Sequence, residues 1–361
     1  MQALPALAGD VQRSSKLLLP SQQPLAMSMG SLEADKSVVR HALLPSGGSG
    51  GSLKTHKKGE AKVHMVGSVP DMSASWSAKV AVTTEQQADA LAMAQVYGSM
   101  REKFAAHGLN LAAVRATRQY YANLDGPNAT PHPLQYAHFP TPLEDGAVRL
   151  GVFLLGSAPS LAARAVEATQ EVFSALPEGM QPHASGQTDL HLTIFMPSQP
   201  SDPRPDPFAP DGGLDPKSAP HPIPAPTAET LTQEVQVFRD LAATTRPPRF
   251  EVHSLVFADS GTLLLCFVDT SKRLAGLRAQ LRIAFTGGAA RQSSIMHITL
   301  GRVLAPKQLT ADDIAAVQAK CDTWTAKLRG TAFTPDALWH VQELTFTSVD
   351  GKRERLALNQ D

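Results

Sequence analysis

Two short strands, far apart in the sequence, constrain this chain more than any other feature. Residues 190–195 read LHLTIF and residues 296–300 read MHITL. Successive side chains of a strand point to opposite faces, so each His shares a face with the Thr two residues later, and the aliphatic residues face a core. Residues two apart on one face lie roughly 6.6 Å apart, so an imidazole and a hydroxyl can contact the same small anion. Two such strands facing each other would carry out acid–base chemistry on a phosphate ester.

The matched context of the two motifs carries the information. Of the 12 histidines, His183, His191 and His297 have Ser or Thr two residues later, and composition alone could produce that many. His183 lies in a turn-like stretch and is set aside. The repeated aliphatic-His-aliphatic-Thr-aliphatic pattern predicts that His191 and His297 are catalytic and that Thr193 and Thr299 bind the phosphate. The alternative is that each pair is an ordinary half-exposed part of a sheet.

Other residues near the motifs receive weaker assignments. Phe195 is in phase with His191, so it would stack against a base; packing at the strand end is an equally good interpretation. Arg302 would be out of phase with the histidine of its strand if that strand ran on regularly, which argues against a phosphate ligand. His253 and His340 lie in strand-like runs without a Thr partner, and we interpret both as structural.

Charge and cysteine content narrow the class of protein. The 361 residues contain 33 basic and 33 acidic side chains, so no global field indicates a nucleic-acid partner. From Arg246 to Leu304, eight basic residues face three acidic ones, which would attract anions to a cleft there. The alternative for this excess is a solvated helix face carrying Arg278 and Arg282. The two cysteines form neither a disulfide framework nor a zinc spacing, which favours an intracellular, reducing compartment. No apolar run has the length of a membrane span, so no membrane association is expected.

Composition divides the chain into three parts. Residues 1–83 are predicted to be a disordered leader because they are rich in Ser, Gly and Pro and lack periodicity. A serine-rich, acidic-poor leader is typical of a transit peptide for a plastid or other organelle; the alternative is a plain disordered tail on a cytoplasmic or nuclear protein. Residues 84–145 are predicted to be a helical extension and a loop, and residues 146–361 the main domain.

Two segments outside the alternating pattern have predicted roles. A helix over 84–107 begins with a capping box at Thr84 and carries a stripe of large apolar residues that packs against the main domain. Residues 197–226 contain 11 prolines in 30 positions, so this insertion should leave the sheet as a surface excursion. A partner that reads proline motifs would find its binding segment there.

The order of elements from residue 148 predicts an α+β fold. It reads strand, helix, His-Thr strand, helix, hairpin, helix, His-Thr strand, helix and strand pair. Each His-Thr strand precedes a helix and then a strand pair, which is a weak internal duplication. We expect two lobes of antiparallel sheet with outer helices, each lobe supplying one motif strand to a groove between them.

Together, the two motifs and this element order resemble the two-histidine (2H) phosphoesterase superfamily, over about residues 146 to 361. That resemblance implies a two-lobed fold and a phosphodiesterase acting on 2′,3′-cyclic phosphates of RNA ends or small nucleotides. The insertion lengthens the gap between the motifs relative to the family pattern.

The residue types themselves suit such a reaction. Two histidines with pKa near 6.5, one neutral and one charged, supply both the base and the acid, so neither a metal nor a cofactor is expected. The two threonines would donate hydrogen bonds to phosphate oxygens. The alternative function is a non-catalytic module that binds RNA or nucleotide phosphates.

Overall fold

The computed structural model describes residues 85–126, 129–214 and 222–360. The predicted leader and Thr84 lie outside the described residues. No helix in the described ranges is both long and apolar enough to cross a membrane. The elements are, in chain order, α1 (Glu85–His107), α2 (Leu111–Arg118), β1 (Tyr121–Ala122), β2 (His132–Pro133), β3 (Val148–Leu154), α3 (Pro159–Phe173), β4 (Pro182–Ala184), β5 (His191–Ser198), α4 (Ala228–Thr244), β6 (Phe250–Phe257), β7 (Thr262–Asp269), α5 (Leu274–Ala284), β8 (His297–Val303), α6 (Ala311–Leu328), β9 (Ala332–Phe333), β10 (Ala337–Glu343) and β11 (Gly351–Ala357).

Local signals explain where the helices begin and which side they bury. At α6 the Thr310 hydroxyl accepts a hydrogen bond from the Asp313 backbone N–H, and the Asp313 carboxylate accepts one from the Thr310 N–H. This capping box satisfies two backbone donors that the first turn leaves free. Val317, Cys321 and Trp324 recur at helical spacing and are buried, so α6 presents one apolar face to the sheet.

The predicted α+β class is confirmed, with one large antiparallel sheet and helices against it. The strand order is β11-β10-β3-β5-β8-β7-β6-β9, and β4 pairs with β8 beside that path. We call β11, β10, β3 and β5 lobe A, and β8, β7, β6 and β9 lobe B. The two motif strands are therefore neighbours at the centre, and their pairing joins the lobes into a single sheet.

The helices cover the lobes in an interleaved order. Helix α3 follows a strand of lobe A but packs against α6 and β8 of lobe B, whereas α5 follows a strand of lobe B but packs against α4 and β5 of lobe A. The main core lies between these four helices and the sheet. It contains the aliphatic side chains of both motif strands, including Leu192, Ile194, Ile298 and Leu300, as the alternation predicts.

The opposite face, which carries the motif histidines, is covered on both sides by the N-terminal extension. On lobe B, Tyr97 and Met100 of α1 pack with Cys266, the cross-strand partner of His297. On lobe A, aromatic residues from 120–139 and Phe346 pack on β3 and β10, where Val152 is the cross-strand partner of Thr193. The motif strands thus lie between two apolar clusters, and we call the histidine face of these strands, from one cluster to the other, the groove.

The described parts of the proline-rich insertion leave the sheet after Ser198 and pack against lobe A. The Phe208 ring lies 5.2 Å from the Phe285 ring, and Ile223 is buried in the aromatic cluster. The backbone carbonyl of Arg204 accepts a hydrogen bond of 2.6 Å from the buried guanidinium of Arg149. Residues 215–221 lie outside the described ranges.

A buried polar network explains Arg149 and one of the histidines interpreted as structural. The Arg149 Nε lies 2.9 Å from Glu234 Oε2, and His340 Nε2 lies 2.7 Å from Glu234 Oε1. All three side chains are at most 1% exposed, on the helix side of lobe A. Because an unpaired buried charge is costly, this network holds α4 against β3 and β10, and His340 has a structural role there.

Candidate active site

The pairing of β5 with β8 brings the four motif side chains together. Leu192 pairs with Ile298 in antiparallel register, which places His191 across from Thr299 and Thr193 across from His297. Directly opposed residues in such a pair have Cβ atoms about 5 Å apart, and diagonal neighbours such as the two histidines lie about 7–8 Å apart. An approximate twofold axis through the Leu192–Ile298 pair therefore relates the two motifs.

A backbone carbonyl orients the imidazole ring of His191. The His191 Nδ1 lies 2.7 Å from the carbonyl oxygen of Asp189, two residues earlier. Because that oxygen can only accept, Nδ1 carries a proton and Nε2 is the nitrogen available to a substrate. The carbonyl of Ile295 stands in the same relation to His297 and raises its pKa, although His297 Nδ1 forms no hydrogen bond within the described residues.

Electrostatics distinguish the two rings. Burial lowers the pKa of His191, with only the Asp189 carbonyl acting against it. The pKa of His297 is lowered to about 4, first by burial and then by the positive charges of Arg278 and Arg302 and by His191 itself. Two arginine charges thus lower the proton affinity of His297 and none lowers that of His191, and the neutral ring is the resting form of His297 at neutral pH.

A β-bulge brings Arg302 to the histidine face. Leu263 pairs with Gly301 and Leu264 with Thr299, so Leu300 is an extra residue in β8. This shift of phase puts Arg302 on the same face as Thr299, and the regular strand assumed from the sequence is wrong here. The bulge also brings Gly301 so close to β4 that a Cβ at this position would lie 2.5 Å from the His183 carbonyl oxygen.

The Arg302 guanidinium has hydrogen-bonding capacity to spare. Its Nη1 donates to the Thr262 hydroxyl at 3.1 Å, and its Cζ lies 5.9 Å from the centre of the Phe346 ring. Its buried Nε has no hydrogen-bond partner among the described residues. A buried donor without a partner is uncommon in folded proteins. Arg302 is thus a cation at the Thr299 end of the groove with an unused donor.

His183, set aside from the sequence, belongs to the same face. It pairs with Arg302 across β4 and β8. Its Nδ1 lies 3.0 Å from the Pro131 carbonyl, and its ring lies 5.2 Å from the Tyr121 ring. The chain around it has turn-like composition, and only its pairing with β8 reveals the strand.

Phe195 lies on the other face. A second bulge, at Ile194, shifts the phase of β5 because Gly151 pairs with Phe195 while Val152 pairs with Thr193. The Phe195 ring stacks on Phe285 with the ring centres 5.5 Å apart and is 2% exposed. The structure therefore places it in the packing role, away from the base-stacking one.

Within the described residues, no group of three His, Cys, Asp or Glu side chains is arranged to hold a metal ion.

No protein-family model matches this chain. No curated protein matches it either.

Several solved structures match the chain, all at low sequence identity. The protein TT0787 of Thermus thermophilus is 14% identical, with a TM-score of 0.36 over 58% of this chain and 97% of its own. ATU0111 of Agrobacterium tumefaciens, described as a conserved protein of unknown function, is 16% identical, with a TM-score of 0.40 over 63% and 94%. Usb1 of Kluyveromyces marxianus is 9% identical, with a TM-score of 0.35 over 59% and 99%. At these scores the functional assignment depends on the residues of this chain alone.

Proposed function

We propose that this chain is a two-histidine phosphoesterase that hydrolyses 2′,3′-cyclic phosphates of RNA ends or small nucleotides. The observation that carries the proposal is the register of β5 and β8, which presents two imidazoles and two threonines on one face. A five-membered cyclic phosphate fits a pair of proton-transfer groups at this spacing, since one group acts on the attacking water and the other on the departing oxygen.

In this mechanism His297 is the base and His191 the acid. Water attacks phosphorus while the neutral His297 takes its proton, and the bond from phosphorus to the ribose oxygen breaks as His191 protonates that oxygen. The positive charges of Arg278 and Arg302 favour the neutral form of His297, and neither lowers the pKa of His191. Each proton transfer contributes on the order of 10²–10⁴ in rate.

The substrate itself completes the protonation pattern. Both histidines have lowered pKa values in the free protein, so the acid must be charged when the phosphate anion binds. A negative charge between the rings raises the proton affinity of both. Thr193, Thr299 and the unused Nε of Arg302 would donate hydrogen bonds to the non-bridging oxygens and stabilise the charge that develops on them.

The test is turnover of cyclic phosphates in the presence of EDTA. The substrates are 2′,3′-cyclic mononucleotides, short RNAs ending in a cyclic phosphate, and ADP-ribose cyclic phosphate, with product positions resolved by NMR. His191→Ala and His297→Ala should each lower kcat by about 10²-fold or more with unchanged thermal unfolding. His138→Ala is the matched control because this histidine is exposed and distant in sequence from both motifs. Full activity in both motif variants would rule out the assignment.

The second candidate is a non-catalytic module that binds phosphates of RNA or nucleotides. One observation favours it: with both pKa values lowered, the free groove holds no charged histidine at neutral pH to act as an acid. Saturable binding of 2′- or 3′-nucleotides without hydrolysis of any cyclic substrate would support this module over the enzyme.

A further inference from the structure

The side chain of Arg278 connects the two motif strands from below the groove. It projects from α5, and its Nε donates to the Ile194 carbonyl at 3.1 Å. Its Nη2 donates to the Thr193 carbonyl at 3.0 Å and to the Ile295 carbonyl at 3.4 Å. One guanidinium thus binds β5 on one side and the segment leading into β8 on the other.

The Arg278 side chain bridges the two strands where the sheet has the fewest registered pairs. The register of β5 with β8 comprises the single pair Leu192–Ile298, whereas β7 and β8 share five registered pairs. Beyond that pair, towards Thr193, no further registered pair joins β5 to β8 in the described part of the chain, and Arg278 donates to the β5 carbonyls of Thr193 and Ile194 there. A guanidinium offers five donors in one plane, so a single Arg can satisfy carbonyls of both segments.

The charge of Arg278 is not neutralised by an ion pair among the described residues. Burial and, after it, the positive charge of Arg282 lower the pKa of Arg278 to about 10, while Tyr97 and Asp269 act in the opposite direction. The group therefore stays protonated at neutral pH. The alternative drawn from the sequence, a solvated helix face carrying both arginines, is wrong for Arg278, whereas Arg282 is exposed.

After burial, the charge of Arg278 has the largest effect on the pKa of His297 among the groups that face this ring. They are Arg278 from α5, Arg302 on the same strand and His191 from β5. The neighbours Tyr97 from α1 and Cys266 from β7 have pKa values raised by burial, so both stay uncharged. Among the described groups that act on His297, only the two arginines carry a permanent charge.

We propose that Arg278 is a positioning residue that ties the two histidine motifs together across the gap and keeps a fixed positive charge beside His297. The kinetic consequences of this inference rest on the proposed function, whereas the bridge between the two strands and the effect of Arg278 on His297 do not. Arg278 contacts backbone carbonyls rather than a substrate. Its loss should therefore change kcat and the pH profile more than KM.

Two substitutions separate the bridge from the charge. Arg278→Lys keeps a positive charge, but a single ammonium on a flexible stem cannot hold three carbonyls in two segments. Arg278→Met removes both the charge and the donors. Arg282→Met is the matched control, since it removes the neighbouring charge four residues along α5 without touching either motif strand.

The kinetic expectations differ between the variants. Arg278→Lys should lower kcat by roughly 10-fold to 100-fold through misplacement of the histidines, with the acidic limb of the pH profile close to that of the wild type. Arg278→Met should lower kcat further and shift that limb to higher pH, because His297 gains proton affinity. Arg282→Met should retain kcat within about twofold. Wild-type kcat and pH profile in Arg278→Met would overturn the proposal.

An NMR titration tests the same inference without turnover. The imidazole resonances of His297 should titrate at a higher pH in Arg278→Met than in the wild type, and at nearly the wild-type pH in Arg278→Lys. If the wild type hydrolyses no cyclic phosphate, the proposed function fails and the titration still decides the role of Arg278. An unchanged His297 titration in a folded Arg278→Met variant would overturn the proposed role of Arg278. If Arg278→Met does not fold, a wild-type kcat in Arg278→Lys would overturn it.

Discussion

His297 lies in a more positive environment than His191, and this asymmetry sets its behaviour with pH. The unfolded chain binds a proton at a histidine with a pKa near 6.5, whereas folding lowers the pKa of His297 to about 4. The unfolded state therefore binds more protons between these values. The contribution of His297 to stability is fully present above pH 6.5 and is lost as the pH falls towards 4.

We predict that His297→Gln weakens the acid sensitivity of the fold. The free energy of unfolding of the wild type should fall between pH 7 and pH 4.5 by on the order of 2–3 kcal/mol more than that of the variant. Urea unfolding at the two pH values measures the difference. The variant's loss must be subtracted from that of the wild type, because other groups also titrate in this range. Burial raises the pKa of Glu343 to about 7, so the contribution of Glu343 to stability increases as the pH falls, opposite to that of His297. An equal loss in both proteins would contradict the lowered pKa of His297.

The aliphatic-His-aliphatic-Thr pattern predicts which side chains of each motif strand are buried, because alternation is a local property of the backbone. The positions of Phe195 and Arg302 could not be predicted. Each follows a bulge, which is a feature of the pairing with a neighbouring strand and leaves no period in the sequence. Arg278 was missed for a related reason: a long side chain on a helix reaches backbone carbonyls that only the tertiary fold brings near.

At the scale of elements, α1 supports the second motif strand directly. The Tyr97 hydroxyl lies 2.9 Å from the Phe267 carbonyl and 3.0 Å from the Met296 carbonyl, and it accepts a hydrogen bond from the Met296 N–H at 3.2 Å. Met296 immediately precedes His297. The predicted packing stripe on α1 is therefore confirmed where Tyr97, Met100 and Phe104 are buried, and one member also has a polar role.

We predict that Tyr97→Phe destabilises the protein and slows the reaction. Loss of the hydroxyl leaves the Met296 N–H without that acceptor, at a cost of about 1–3 kcal/mol. The value of kcat should also fall, because the segment around Met296 orients His297 and would no longer be held by the Tyr97 hydroxyl. Tyr120→Phe is the control, since within the described ranges the Tyr120 hydroxyl accepts a hydrogen bond only from the adjacent Gln119 amide, at 3.0 Å. Denaturant unfolding and kcat measure both effects, and wild-type values for Tyr97→Phe would refute them.

The order and type of the elements from residue 148 onward were predictable because their apolar periods are strong and their ends carry capping and turn residues. The short strands β1, β2, β4 and β9 were not, since two or three residues carry no period. The adjacency of β5 and β8 is a long-range pairing, and nothing local to either strand specifies it. The cover that the N-terminal extension provides over the histidine face is likewise a tertiary property.

The lobes are interleaved in sequence, because the strands of lobe B lie between β5 and β10 of lobe A, and helices α3 and α5 each follow a strand of one lobe and pack on the other. Lobe A needs β3 near the start of the domain and β11 at its end, and lobe B is closed by helices α3 and α6 from both halves. The strands of lobe A are therefore not continuous in sequence, and the continuous strands of lobe B depend on a helix from outside that stretch. The two lobes should therefore fold as one cooperative unit although the sheet between them is narrow.

We predict a single unfolding transition for both lobes. Trp324 lies in α6 of lobe B and Trp339 in β10 of lobe A, so variants that retain only one of them report on each lobe. Trp76 is replaced by Phe in both variants. Urea curves from the two fluorescence signals and from far-UV circular dichroism should coincide in midpoint and slope. Separate midpoints for the two tryptophans would show that the lobes unfold independently.

The near-twofold arrangement of the motifs has a consequence for which product forms. A perfectly symmetric cradle would accept a five-membered phosphate ring in either sense and release a mixture of isomers. Both arginines act on one histidine only, so the two ends of the cradle are chemically unequal. We therefore expect the ring to be seated in one sense and a single ribose hydroxyl to be liberated.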